Sequence, residues 1–310
     1  MSVFRSGFAS LIGRPNAGKS TLLNALSGEK LAIVSEKPQT TRTTIQGVVN
    51  LPDAQIVFID TPGIHKSTTM FNKRMMETVR TALEDRDVLL FVADASIPFS
   101  PQDADAVSIV KDLSTPTLLL ANKIDRVQDK RKLLPFIEQY KAIREFDEYI
   151  PVSATTGEGL DRVREAIISR LPEGPAYFPT DHLTDQPERF LAGELIREQI
   201  LRQTHQEVPH AVAVMIERWE DSPKITKISA TIYVERDGQK AIVIGAGGAA
   251  LKKIGTYARL EIEKMLGRKV FLELFVKVQK DWRENPEFLN AIDWRSMRGG
   301  ELDSDEGSVP

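Results

Sequence analysis

Two glycines, a lysine and a serine near the amino terminus stand at a spacing that suits the binding of phosphate. The segment Gly13-Arg14-Pro15-Asn16-Ala17-Gly18-Lys19-Ser20 fits the pattern G-x-x-x-x-G-K-[ST] between a predicted strand and a predicted helix. Glycines let backbone N–H groups turn toward phosphate oxygens, and a helix amino terminus favours negative charge. The lysine adds a cation and the serine a Mg²⁺ ligand. The predicted phosphate-binding residues are Gly13, Asn16, Ala17, Gly18, Lys19, Ser20 and Thr21.

An aspartate at the end of a later predicted strand indicates where a magnesium ion would lie. Asp60 and Gly63 form a D-x-x-G segment downstream of the phosphate loop. A carboxylate there can hold Mg²⁺ through a water molecule, and the N–H of Gly63 can approach a γ-phosphate. Alone, the pattern is more often a turn, but after a phosphate loop it predicts a segment that responds to the nucleotide.

A third group of residues predicts which base the site accepts. Asn122, Lys123 and Asp125 form N-K-x-D after another predicted strand. An aspartate can accept hydrogen bonds from N1–H and the 2-amino group of guanine, whereas adenine would leave the carboxylate desolvated and unpaired. Ser153 and Ala154 follow the next predicted strand, where a backbone N–H could reach guanine O6. Because open α/β sheets bind ligands at the carboxyl ends of their strands, these motifs together predict a GTP site.

The elements that must position these residues form two patterns. Up to Leu171, short apolar strands alternate with amphipathic helices, which predicts a mostly parallel sheet with helices on both faces. Segment 44–51 predicts an antiparallel edge strand. Four prolines between 172 and 187 then interrupt the alternation, and an α+β order follows. The predicted limits are 1–172 for the GTP-binding domain, 173–188 for a linker, 189–297 for a second domain and 298–310 for a disordered tail.

A glycine-rich loop marks the second domain. Gly245-Ala246-Gly247-Gly248 contains G-x-x-G between a short apolar run, interpreted as a strand, and a helix that carries Lys252 and Lys253. From Lys252 to Arg283, nine Lys or Arg residues outnumber four acids. The local charge favours RNA, although a solvated amphipathic helix would look similar. Trp282 and Trp294 could stack on bases or pack inside the domain.

Composition excludes several classes of protein. The 310 residues include 41 Lys and Arg against 44 Asp and Glu, so the chain as a whole is not a basic protein that coats nucleic acid. The absence of cysteine excludes disulfides, thiol nucleophiles and cysteine-ligated metals. We find no membrane-spanning run and no signal peptide, and we expect a soluble, intracellular protein.

These motifs together resemble the Era-type small GTPases, a branch of the translation-factor-related GTPases. The similarity includes GRPNAGKS, KPQTTR (37–42), DTPGIHK (60–66), NKID, PVSATTGEGL (151–160), the linker 179–199 and segment 243–278. It implies an α/β P-loop GTPase domain followed by a smaller α+β type II K-homology domain. The catalytic residues that it implies are Lys19, Thr41, Gly63 and Asn16, and the Mg²⁺ residues are Ser20, Thr41 and, through water, Asp60.

The resemblance also bears on the rate of hydrolysis. Position 64 is Ile, where Ras-type proteins carry the glutamine that orients the attacking water, so we expect slow turnover by the protein alone. Relatives without that glutamine use a phosphate-loop asparagine to hold a potassium ion, and Asn16 matches it. The alternative for Asn16 is a polar residue that accepts a tight loop conformation.

The implied partner is the 3′ end of 16S ribosomal RNA, bound through Gly245, Ala246, Gly247, Gly248, Lys252 and Lys253 during assembly of the small (30S) ribosomal subunit. Relatives often place a basic residue at the position of Ala246 or Gly247, so Lys252 and Lys253 would carry more of the phosphate contact here. The implied cofactors are GTP or GDP, Mg²⁺ and K⁺. We expect a monomer in the cytoplasm, with peripheral association with the inner membrane as an open option. The alternative function is a GTPase switch whose second domain binds a protein or a membrane surface.

Overall fold

The computed structural model describes residues 3–37, 39–64, 69–205 and 208–294, and in this part of the chain two sheets form. The strands of the first sheet are β1 (Arg5–Ile12), β2 (Ile45–Asn50), β3 (Ala54–Asp60), β4 (Val88–Asp94), β5 (Thr117–Asn122) and β6 (Glu148–Pro151). Their order is β2-β3-β1-β4-β5-β6, and all neighbours are parallel except β2 and β3. The predicted antiparallel edge strand is therefore confirmed.

Helices cover both faces of this sheet. They are α1 (Lys19–Ser27), α2 (Met70–Thr81), α3 (Pro101–Val110), α4 (Leu133–Lys141) and α5 (Leu160–Ile168). Successive β4 residues alternate between the two apolar clusters: Leu90 packs with α1 and α5, whereas Phe91 packs with α2, α3 and α4. Burial on both sides explains why the central strands are continuous apolar runs rather than alternating patterns.

The second sheet belongs to a separate unit. Its strands are β7 (Ala213–Asp221), β8 (Ile225–Val234) and β9 (Lys269–Val278), and its helices are α6 (Glu188–Gln203), α7 (Val208–Ala211), α8 (Asp237–Ile244), α9 (Ala249–Leu266) and α10 (Pro286–Ala291). β8 pairs antiparallel with β7 and parallel with β9. The order helix-strand-strand-helix-helix-strand, from α6 to β9 without the short α7, confirms the predicted K-homology fold class.

One predicted element in this unit was wrong. The apolar run 241–244 before the glycine loop is the end of helix α8 and not a strand. The side-chain oxygen of Gln239 accepts the backbone N–H groups of Glu235 and Arg236, at 2.9 and 3.1 Å, and so satisfies donors at the start of the helix. A run of four apolar residues cannot distinguish a strand from a helix by its period. Sequence analysis also omitted α7 and α10.

The chain divides by its internal contacts into residues 3–64 with 72–185 and residues 69–71 with 186–294, among those described. Most of the predicted linker thus groups with the first unit. Gln55, which is fully buried, accepts the N–H groups of Tyr177 and Phe178, and Val48 N–H donates to Leu183 O at 2.8 Å. The limits 1–172, 173–188 and 189–297 remain predictions, and the predicted disordered tail 298–310 lies outside the described residues.

Candidate nucleotide and RNA sites

The phosphate loop joins β1 to α1 and closes tightly on its neighbours. Gly18 precedes α1 with φ 98°, a left-handed conformation that favours glycine, and a Cβ there would lie 2.3 Å from Asn122 Nδ2. Ala17 is fully buried, and Thr21 is half-buried in the first turn of α1. The sequence therefore brings backbone amides and a helix amino terminus together, as a phosphate cradle requires.

Lys19 is a buried cation that faces the loop. Only 6% of its surface is exposed, and Nζ donates to the carbonyl oxygens of Gly13 and Arg14, each at 3.1 Å. Burial lowers the pKa of Lys19 to about 8, while the carboxylate of Asp60 opposes this shift. An ammonium held this way by two neutral carbonyls fits a triphosphate, whose oxygens would compensate its charge.

Three oxygen-bearing side chains converge where a magnesium ion was predicted. Ser20 Oγ and Thr41 Oγ1 lie 2.7 Å apart and donate to Asp60 Oδ2 at 2.6 and 3.2 Å, respectively. Asp60 is fully buried, which raises the pKa of its carboxyl. Its other oxygen, Oδ1, is buried without a hydrogen-bond partner among the described residues. Hydroxyl and carboxylate oxygens with one unsatisfied acceptor fit Mg²⁺, which prefers oxygen ligands.

Gly63 lies against the phosphate loop, and the next residue turns inward. A Cβ on Gly63 would lie 2.6 Å from Pro15 Cα, so only glycine fits this close approach. Ile64 donates its N–H to Gly13 O at 3.1 Å, and its side chain is buried in the apolar cluster of α2 and α3. This side chain can neither reach nor hydrogen-bond an attacking water. His65 and Lys66, also part of the DTPGIHK motif, lie outside the described residues.

The loops after β5 and β6 bring together the residues predicted to bind the base. Asn122 Nδ2 donates to Ala17 O at 2.9 Å, and Asn122 Oδ1 accepts the N–H of Ala154 at 3.1 Å. Asn122 thus connects its own loop to the phosphate loop and to the loop after β6. Asp125 is exposed, and its Oδ1 accepts the hydroxyl of Ser153 at 2.6 Å. The hydrogen bond from Ser153 therefore orients the carboxylate of Asp125, and the exposed side chain remains accessible to a ligand.

Sequence analysis missed Asp94, which connects the base loop with the phosphate loop. Lys123 Nζ lies 2.7 Å from Asp94 Oδ2 and donates to Asn16 O at 2.6 Å. Arg14 approaches the same carboxylate at 3.9 Å and forms a closer ion pair with Asp103, at 3.2 Å. Hydrogen bonding to Lys123 and Ser96 outweighs burial and lowers the pKa of Asp94. One sequence feature could have indicated Asp94: it lies at the carboxyl end of a predicted parallel strand, where ligands bind in such sheets.

Asn16 adopts a tight-loop conformation, and its side chain reaches a neighbouring segment. Its φ is 62°, a conformation that asparagine tolerates in tight loops. Its amide Nδ2 also donates to Glu36 O at 2.7 Å, so the side chain reaches the segment that leads to Thr41. Both Asn16 Oδ1 and the Glu36 carbonyl are the kind of oxygen that a potassium ion binds.

In the second unit, the glycine loop joins α8 to α9. Gly245, Gly247 and Gly248 have φ values of 71°, 57° and 80°, so the loop depends on their freedom to adopt positive φ. Ala246 and Gly247 are exposed at its tip. Backbone N–H groups are therefore the polar groups that the loop itself offers to a phosphate.

A groove of about 420 Å³ runs beside this loop between α9 and β9. Its lining includes the cations Lys252 and Arg259 and the apolar side chains Leu272 and Leu274. Lys253 is exposed on the neighbouring face of α9 and does not line the groove. A cleft with an apolar floor and cationic walls suits nucleotide bases and their phosphates.

Both tryptophans pack in the interior, which is the favoured of the two interpretations that the sequence allowed. Trp282 is fully buried and donates its indole N–H to Ala211 O at 2.9 Å. Trp294 is 4% exposed and lies against Phe190, with ring centroids 5.9 Å apart.

Comparison with known proteins identifies the families of both units. Residues 8–123 match the family described as "50S ribosome-binding GTPase", and residues 207–283 match the KH domain family. The chain is 50% identical over 291 residues to the GTPase Era of Geobacter metallireducens, covering 93% of this chain and 97% of that protein. The GTPase Era of Syntrophus aciditrophicus is 47% identical, with coverage of 94% and 95%. The chain belongs to the Era family of GTPases.

Solved Era structures share the fold across both units. Era in complex with MgGDPNP and nucleotides 1506–1542 of 16S ribosomal RNA matches with a TM-score of 0.91 and 40% identity, covering 94% of this chain and 99% of that one. An Aquifex aeolicus Era variant bound to GDP·AlF4⁻ matches with a TM-score of 0.90 at the same identity and coverage. Among the described residues of this Era-family chain, no helix is both long and apolar enough to cross a bilayer.

The lowered pKa of Lys19 predicts that nucleotide affinity depends on pH. Bound phosphates favour the charged ammonium, so binding raises its pKa above the value of about 8 in the free protein. Below about pH 8 the Lys19 amine is already protonated in the free protein. Above about pH 8 the amine is mostly neutral, so the protein must take up a proton when the nucleotide binds. We expect GDP affinity to fall about fourfold from about pH 7 to about pH 8.5.

Calorimetry in buffers with different ionisation enthalpies measures the proton uptake directly. Lys19→Arg is the matched control, because a guanidinium does not titrate in this range. A wild-type affinity that is flat over this interval would contradict the assigned environment of Lys19.

Asp94→Asn is expected to weaken GDP binding about tenfold, since a hydrogen bond to a charged group contributes about 1.5 kcal/mol. Stopped-flow release of a fluorescent GDP measures the loss. Asp87→Asn is the control at the opposite end of β4, where Asp87 accepts the N–H of Phe8 at 2.7 Å. If Asp94 acts through Lys123, Asp94→Asn has little further effect in a Lys123→Met background. Equal losses in both backgrounds would refute that coupling.

Proposed function

We propose that this Era-family protein binds and hydrolyses GTP with Mg²⁺ and binds the 3′ end of 16S ribosomal RNA while the small (30S) ribosomal subunit is assembled. The observation that carries this proposal is the presence of both sites in one chain: a phosphate and base site on the first sheet, and a G-x-x-G groove in the second unit. Era with MgGDPNP and 16S ribosomal RNA, at 40% identity over 94% of this chain, supports the same pairing.

In the first unit, each residue has a distinct proposed role. Gly13, Ala17, Gly18 and Thr21 surround the phosphates with backbone groups, and Lys19 compensates their charge. Ser20 and Thr41 hold Mg²⁺ directly, and Asp60 holds it through water. When bound, Mg²⁺ neutralises charge that develops on the phosphate oxygens. Asn122, Lys123, Asp125, Ser153 and Ala154 select and orient guanine.

Hydrolysis by this arrangement is expected to be slow. The N–H of Gly63 can stabilise the γ-phosphate, but buried Ile64 offers no group to orient water. We infer that Asn16 Oδ1 and a backbone carbonyl of the neighbouring segment hold K⁺, which would add positive charge at the phosphates. The contact between Asn16 and Glu36 O at 2.7 Å supports this placement.

The potassium proposal predicts that turnover is higher in K⁺ than in Na⁺ and that Asn16→Ala removes the difference. We expect a loss of about tenfold in K⁺ and little change in Na⁺, because only the ion-dependent stabilisation is removed. Phosphate release under saturating GTP measures both rates, and GDP affinity serves as the control for an intact loop. Turnover indifferent to the cation would exclude the potassium site.

In the second unit, we propose that Gly245, Ala246, Gly247 and Gly248 clamp the RNA backbone while Lys252 lines the groove and Lys253 adds charge beside it. We propose that the protein acts in the cytoplasm, where ribosomal subunits would be its partner, and that it acts as a monomer. Peripheral association with the inner membrane stays a subsidiary proposal. The alternative, in which the second unit binds a protein or membrane surface, is less favoured because the groove joins an apolar floor to cations beside a glycine loop.

Substitution of the two lysines tests the RNA proposal. Lys252→Ala with Lys253→Ala is expected to reduce affinity for a single-stranded RNA ending like the 16S 3′ tail about tenfold or more and to lower the salt slope, because two phosphate contacts are lost. Filter binding at two salt concentrations measures this. Lys264→Ala, on the last turn of the same helix, is the matched control. Wild-type protein that fails to bind this RNA would favour the scaffold alternative.

A further inference from the structure

The sheet of the second unit has helices on only one face along most of its length. A Cβ on Gly193 of α6 would lie 3.9 Å from Ile216 Cγ1, and one on Gly255 of α9 would lie 3.3 Å from Leu274 Cδ1. Ile216 and Leu274 therefore point toward the helices. Because side chains alternate along a strand, Phe271 and Phe275 project from the opposite face.

These two phenylalanines are unusually open for their size. Phe271 is 50% exposed and Phe275 is 51% exposed, although both lie in the interior of β9. They are four positions apart, which places their rings about 13 Å apart along the strand. Thr231 pairs in register with Phe275 and so lies on the same face, and because it is almost fully buried on β8, neighbouring side chains cover the sheet beside this ring.

Three lysines lie around the two rings. Lys269 and Lys277 flank them along β9, and Lys227 pairs in register with Phe271. Glu273 lies between the rings and accepts the hydroxyl of Ser229 at 3.0 Å. Carboxylates also lie beside two of these lysines: Glu263 pairs with Lys269 at 3.3 Å, and Glu220 of β7 stands in register with Lys227.

Toward β7 the charged side chains are hydrogen-bonded to neighbours, and near Tyr233 the sheet becomes covered. On β7, Glu220 accepts from Arg218 Nε at 2.8 Å, and Glu217 accepts the hydroxyl of Tyr233 at 3.0 Å. Phe288 of α10 packs edge-on against Tyr233, with centroids 5.0 Å apart. The open part of the face is therefore the part that carries Phe271 and Phe275.

This open surface adjoins the G-x-x-G groove. β9 is the edge strand of the sheet, and its alternate residues Leu272 and Leu274 line the groove. A single-stranded nucleic acid that leaves the groove thus reaches the two phenylalanines by passing around one strand.

We propose that Phe271 and Phe275 form a second stacking surface for single-stranded RNA, continuous with the groove and flanked by Lys227, Lys269 and Lys277. Aromatic rings bind successive bases through their faces with little sequence preference, and lysines compensate the phosphates. The inference rests on the proposed RNA-binding function and extends its site from the groove onto the outer face of the sheet.

Two RNA lengths test this proposal. An RNA of about five nucleotides fills the groove alone, whereas one of about twelve nucleotides reaches the outer face as well. Phe271→Leu with Phe275→Leu is expected to weaken the long RNA about tenfold or more and to leave the short RNA unchanged, because leucine keeps the apolar contact but removes the stacking ring. Phe271→Tyr with Phe275→Tyr keeps the rings and is expected to restore long-RNA affinity.

The controls separate this proposal from the function on which it rests. Leu134→Ala removes a side chain that is 65% exposed on α4, and it is expected to change neither affinity. Unchanged long-RNA binding by the leucine variant would overturn the stacking surface while the groove still binds short RNA. Equal losses on both RNAs would overturn it as well. If wild type binds neither RNA, the proposed function itself fails. If the leucine variant keeps full affinity for the long RNA but no longer associates with ribosomal subunits, the proposal is overturned and the face binds a protein instead.

Discussion

The first unit depends on keeping a positive and a negative side chain away from water at the same point of the sheet. Lys19 and Asp60 are both buried, and each shifts toward its neutral form by desolvation while the charge of the other opposes that shift. Carbonyl oxygens of the phosphate loop partner Lys19, and hydroxyls of Ser20 and Thr41 partner Asp60. A magnesium-bound triphosphate would supply negative charge to Lys19 and positive charge to Asp60, and this pairing requires residues from separate elements to converge.

Parallel strand geometry makes this convergence possible and also made much of it predictable. β1, β3, β5 and β6 end at one edge of the sheet, so motifs far apart in sequence could be placed together from their position after apolar runs. Local spacing could not reveal Asp94, because its role is defined by Lys123 and Arg14, which arrive from two other loops. Its partners are fixed by the fold and not by any pattern in its own segment.

The second unit shows where local reasoning fails. The run 241–244 is apolar enough for a strand, yet Gln239 satisfies donors at the start of a helix and the chain continues into the loop as α8. The faces of β9 are easier to assign, because its charged residues Lys269, Glu273 and Lys277 share one face with Phe271 and Phe275, whereas the residues between them are all apolar. The position of α9 against Leu274 agrees with this pattern.

The segment that leaves the first unit is attached to the strand that follows Thr41. β2 is an edge strand, and such edges need a cover because unpaired N–H and C=O groups invite other strands. Here Leu183 O accepts the N–H of Val48, and Thr184 donates its hydroxyl to Gln46 O at 2.6 Å. The same contacts that protect this edge fix the path of the chain toward the second unit. Thr41 contacts Asp60 only four residues before β2 begins. The residue predicted to bind magnesium and the strand that holds the outgoing segment therefore belong to one continuous piece of backbone.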